Sequence, residues 1–168
     1  DSDEIDILDS AKQALDSMCT DSVPTYVRQR LVHVQRLLMM FEDDEWSLPD
    51  PERSEALAAL AYFGDPDDLI PDRLEVIGLI DDAVMLELLA RRLRHVLDAY
   101  AAFCSYRSTL GSPVVENGAR LRRSKSLAEH RHGLVVAMQN RTQRRRSRLA
   151  EASAPAGFTH RADAPPSH

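Results

Sequence analysis

Apolar residues recur three and four positions apart through most of this 168-residue chain, while runs that alternate apolar with polar residues are almost absent. The first pattern lines one face of an α-helix and the second one face of a strand, so the chain is committed to helices. Residues 3–19 carry Ile5, Leu8, Leu15 and Met18 on a stripe, with Ser2 as cap. Pro24, after Ser22, suits the first turn of a second helix, which Val27, Leu31, Val34, Leu38 and Phe41 continue to the acidic stop FEDDEW. In LPDPERSEALAALAYF the order predicts Asp50 as cap, Pro51 at the first helical position and Glu52 near the positive end of the dipole. Leu57, Leu60 and Phe63 then face inward, and Gly64 ends the helix.

A fourth helix is expected from Asp82 to Tyr106, burying Leu86, Leu89, Leu93, Val96, Tyr100 and Phe103, with Glu87 and Arg91 pairing across one turn of its wet side. Gly111 and Pro113 make Thr109 to Asn117 a break. Ser126 and Glu129 have capping-box spacing and start a last helix toward Leu149, whose stripe is thin: Leu127, Leu134, Met138, then little but arginine. The expected fold is an all-α, single-core bundle of four to five helices with a central acidic helical hairpin and a basic C-terminal helix. Its divisions are an acidic core domain at 1–110 containing a hairpin at 57–93, a basic helical segment at 111–150, and an Ala-, Pro- and Ser-rich tail at 151–168 expected to be disordered.

Charge follows the same division. Residues 1–110 hold 23 Asp and Glu against 10 Lys and Arg, a net −13, whereas 111–168 hold 4 against 11, a net +7. Such asymmetry bears on partners rather than on fold. The positive side chains are concentrated in RLRRSK (Arg120, Arg122, Arg123, Lys125) and RTQRRRSR (Arg141, Arg144, Arg145, Arg146, Arg148). Spread around a helix without aromatic residues for base stacking, they suit a polyanionic partner, nucleic acid without sequence reading or an acidic protein surface. A solvated helix, or one folded back on the chain's own acidic half, is an equal expectation. Peripheral membrane contact through these arginines is open too; no run of about 18 apolar residues spans a bilayer.

Between two apolar runs lies DPDDLIPD, residues 65–72, with four aspartates and two prolines in eight positions. Together with Gly78, Asp81 and Asp82 it reads PxDLIPD followed by GxxDD, carried by Pro66, Asp68, Leu69, Ile70, Pro71 and Asp72. Over 57–93 the chain resembles the YkvA-like family of small bacterial domains of unknown function, departing at Glu75, where the family pattern has a proline. The resemblance implies a helical hairpin around an acidic turn and frequent membrane association, and it brings no activity with it.

The corner itself has two readings. Asp72 with Asp81 or Asp82 caps helix starts while Leu69 and Ile70 plug the hairpin. Alternatively Asp65, Asp68, Asp72, Asp81 and Asp82 converge and hold Mg²⁺, Mn²⁺ or Ca²⁺, with or without hydrolysis of a phosphate-bearing substrate. An EF-hand counted from Asp65 is excluded, because Ile70 and Val76 stand where Gly and Glu are needed. No GxSxG, HExxH or glycine-rich phosphate loop is present, and the first expectation is a non-enzymatic binding or adaptor module without cofactor.

His130 and His132 sit nearly 200° apart on a helix and cannot share one ion. They are expected on the surface, as are His33 and His95. Cys19 and Cys104 lack CxxC spacing and suit small core positions in a reducing, cytoplasmic setting.

Overall fold

The computed structural model describes residues 2–18, 23–65, 75–111 and 117–153. They form six helices and no strands: α1 Ser2–Met18, α2 Thr25–Phe41, α3 Glu52–Phe63, α4 Glu75–Arg92, α5 Arg94–Thr109 and α6 Asn117–Ser153. The all-α expectation stands, and the expected four to five helices are corrected to six. Helix α1 lies on α3, α2 on α4, and α6 along α5, while α2 also touches α1 and α5.

The buried stripes of α2 to α5 follow the periodicity. Val27, Leu31, Val34 and Leu38 are buried on α2 with Phe41 half-buried, Leu60 and Phe63 on α3, where Ala56 is buried and the expected Leu57 only half so, and all six positions expected from Leu86 to Phe103. In α1 the stripe is rotated: Ile5 is 60% exposed, and Ala11 and Ala14 are buried instead. The reason is proximity. A Cβ on Gly64, at the end of α3, would lie 2.9 Å from the backbone nitrogen of Ala11, so α1 meets α3 through its smallest residues. Gly64 has φ −84°, which any residue adopts. Its lack of a side chain serves this close approach and not a left-handed turn. Gly64→Ala is therefore expected to destabilise by about 1–3 kcal/mol through overpacking, read from the urea midpoint; an unchanged midpoint would show that α1 can move aside at no cost.

Two boundaries differ from expectation. The run expected as one helix from Asp82 to Tyr106 begins at Glu75, Gly78 included, and is divided at Leu93. Glycine costs about 1 kcal/mol inside a helix, which tertiary packing routinely overrides. Leu93 (φ −95°, ψ 10°) still donates its N–H to Leu89, and its carbonyl accepts from Val96 and Leu97, so the chain bends there with Leu93 fully buried. Helix α6 starts at Asn117 instead of Ser126 and runs to Ser153. Ser126 and Glu129 are interior to it, because a capping-box spacing is common by chance in a serine- and glutamate-bearing helix. Asp50 makes no cap bond to the backbone of α3; its carboxylate accepts from the Ser54 hydroxyl at 2.7 Å.

Candidate polyanion-binding helix

Helix α6 has 37 residues, about 55 Å at 1.5 Å per residue, against 16 residues for α5. Its inner face is a line of residues at spacings of four, four and three: Arg123, Leu127, Arg131, Leu134, Met138, Thr142 and Arg145. An eleven-residue repeat of this kind keeps one face of a nearly straight helix on its support. Leu127 and Met138 join the hydrophobic core, with Leu134 packed against it. The polar members each find a partner in the acidic half.

Arg123 pairs with Glu45 at 3.1 Å and donates to the carbonyl of Gly111 at 3.3 Å. Arg131 donates to the carbonyls of Trp46 and Ser47, which the α2–α3 loop presents with Ser47 in a left-handed conformation at φ 44°. The Thr142 hydroxyl donates to Glu52, 1% exposed, at 2.8 Å. Arg145 donates to Glu55 at 2.8 Å and to the carbonyl of Arg92 at 2.6 Å, while Arg92 reaches the same Glu55 oxygen at 3.0 Å. Burial pushes the Glu55 carboxyl up, but the two guanidinium hydrogen bonds and their charges outweigh it and hold the group below its ordinary value.

The loop that receives α6 is itself organised by Asp43. Its carboxylate accepts from the backbone N–H groups of Glu45 and Trp46, each at 3.2 Å, from the Tyr100 hydroxyl at 3.0 Å and from Arg107 at 2.8 and 2.9 Å. Arg107 also reaches Glu45 at 3.1 Å, so Glu45 joins α5 to α6. Beneath the loop Trp46 is fully buried, its ring 5.1 Å from Phe103 and 5.8 Å from Tyr100.

Of the four histidines expected on the surface, His33, His95, His130 and His132, only His132 is exposed. His130 stacks on Tyr106 at 3.8 Å, and His33 and His95 are half-buried, each with a shielded ring nitrogen that has no partner among the described residues. Their neighbours on adjacent helices close over them, which a single-helix register does not reveal. Desolvation lowers the pKa of His95 from its ordinary 6.5, the charge of Arg145 lowers it further, and Glu55 and Glu52 oppose the shift. A base whose folded pKa is depressed contributes stability above its unfolded value, lost as the pH falls through the lower folded one. The melting temperature is expected to fall as the pH drops below 6.5, and His95→Gln should flatten that limb; an unchanged slope would remove His95 as the cause. Cys104, half-buried, lies 3.6 Å from Arg107, whereas Cys19 lies outside the described residues.

The nine basic residues singled out from the sequence thus fall into two sets. Arg123 and Arg145 are inward and paired. Arg120, Arg122, Lys125, Arg141, Arg144, Arg146 and Arg148 are exposed and make no ion pair among the described residues. The inward set, with Arg131, Thr142 and their acceptors Glu45, Glu52 and Glu55, is not marked by hydrophobicity, because arginine and threonine are polar wherever their helix docks. The four-four-three spacing was the available signal.

Of the corner aspartates, Asp68 and Asp72 lie outside the described residues, as do the side chains of Asp81 and Asp82, which fall within α4. Asp65 is exposed at the end of α3. Among the described residues no three of His, Cys, Asp and Glu are placed to hold a metal ion, and no helix there is long and apolar enough to cross a membrane.

The arrangement defines an all-α protein in which a long basic helix lies along α5 and reaches the α2–α3 loop and α3. Residues 53–88, which run from α3 into α4, match the family described as Protein of unknown function (DUF1232), the YkvA-like domain family. The resemblance read from PxDLIPD and GxxDD holds over that segment. No curated protein and no solved structure matches the chain.

Proposed function

We propose that this chain is a non-enzymatic binding module, one core with an acidic hairpin, that engages a polyanion through the outer face of α6. The observation that carries the reading is the division of the basic residues: Arg123 and Arg145 are neutralised by the acidic half, and the other seven are exposed without an ion pair among the described residues. Folding back on its own acidic half and contacting a partner are therefore tasks of different residues of the same helix. Helix α6 contains no Phe, Tyr or Trp, so single strands find no stacking platform. Phosphate backbone, or an acidic protein face, is what such a surface meets. A cytoplasmic location is part of the proposal.

Arg141, Arg144 and Arg148 share one flank at i, i+3 and i+7. Replacing all three with alanine should weaken binding to a mixed DNA and RNA pool and reduce the salt dependence by about three phosphate contacts. Arg145 is left in place, because it holds α6 to Glu55. Undiminished binding with an unchanged salt slope would defeat the reading.

A further inference from the structure

Away from α6, helices α2, α4 and α5 enclose a groove of about 540 Å³. Its floor is apolar, with Ala90 and Leu97 buried, and its rim carries Arg36 from α2, Arg91 from α4 and Arg94 from α5, all exposed, with His33 beside them. The volume falls in the range of small-molecule sites. Arginine is scarce in this part of the chain: residues 1–110 contain 10 basic residues in a net −13. Yet Arg36, Arg91 and Arg94 line this one depression, and Arg30 reaches the Glu87 on its edge.

The carboxylates present do not balance them. Glu87 accepts from Arg91 at 3.0 Å and pairs with Arg30 at 3.4 Å, and Asp98 lies 3.8 Å from Arg94. Arg36 has no ion-pair partner among the described residues. Four guanidinium groups around two carboxylates leave an excess of positive charge over an apolar floor.

We propose that this groove binds a small phosphate monoester with an apolar body. A carboxylate is satisfied by one guanidinium fork, whereas three forks approaching from three helices match the three terminal oxygens of a phosphoryl group. The organic portion rests on Leu97 and Ala90. This site is independent of the proposed surface on α6.

Phenyl phosphate and inorganic phosphate are suitable probes, titrated calorimetrically at an ionic strength matched with sodium chloride. Phenyl phosphate should bind saturably and more tightly than inorganic phosphate, because only it reaches the floor. Arg36→Ala or Arg94→Ala should weaken it about tenfold or more, the loss of a charged hydrogen bond. Ala101→Glu, which places a carboxylate at the exposed edge of the groove, should abolish it. All three positions are exposed, and an unchanged melting temperature in each variant confirms that folding is intact. Arg144→Ala on α6 should leave it unchanged. Absence of saturable binding at millimolar probe, indifference to Arg36→Ala, or an equal loss in Arg144→Ala would each overturn the proposal.

Discussion

Trp46→Ala is expected to destabilise the protein by about 3–5 kcal/mol, the range for emptying a fully buried large aromatic site. Against a total of about 5–15 kcal/mol for an ordinary domain, that is a large fraction. The effect should be large because Trp46 is 0% exposed and fills the space between Tyr100 and Phe103 with tilted ring contacts. The loss should also spread, since the carbonyl of Trp46 is an acceptor for Arg131 on α6. The indole Nε1 is buried with no partner among the described residues. Trp46→Phe therefore sacrifices no hydrogen bond and should cost markedly less than Trp46→Ala. Urea midpoints of the two variants check this; equal costs would mean that the indole ring is held by something other than packing.

Asp43→Ala is expected to cost about 3 kcal/mol, because it takes from the Arg107 guanidinium the less exposed of its two carboxylates and from the Tyr100 hydroxyl its carboxylate acceptor. The Asp43 side chain is 9% exposed and that of Arg107 26%, so water screens the pair only in part. Desolvation pushes the Asp43 carboxyl up, but hydrogen bonds from Arg107 and Tyr100, the Arg107 charge and the Trp46 N–H together hold it below its ordinary 3.8. A carboxyl with a depressed folded pKa contributes stability above the unfolded value and loses it as the pH falls through the folded one. Acid unfolding below pH 3.8 should accordingly be less steep in Asp43→Asn than in the parent. Burial raises the Tyr100 pKa above its ordinary value, and hydrogen bonding to Cys104 and then to Asp43 raises it further. A Tyr100→Phe variant that retained the full acid sensitivity would leave Arg107 as the dominant partner.

How far the site could be read beforehand depends on which force places each residue. Arg144 and Arg148 were legible because an arginine with no carboxylate near it stays in water wherever its helix goes. Arg123 and Arg145 look the same in the sequence, and only the docking of α6 over Glu45 and Glu55 separates them from their neighbours. Glu52 stands in the first turn of α3, as the sequence implies, and is in addition buried under Thr142, a contact across 90 positions that the sequence does not record. Likewise Leu93 is a strong helix former with no glycine or proline beside it, and the bend there has no local signature.

The helical class, the stripes of α2 to α5, the basic C-terminal helix and the family of residues 53–88 were determined by the sequence alone. Each rests on residues a few positions apart, where a period of 3.6 and a short motif carry the information. The bend at Leu93, the close approach of Gly64 to Ala11, the inward arginines and the groove under Arg36 were decided by tertiary structure. There the energy lies between side chains far apart in the chain, and no local period records which pairs will meet.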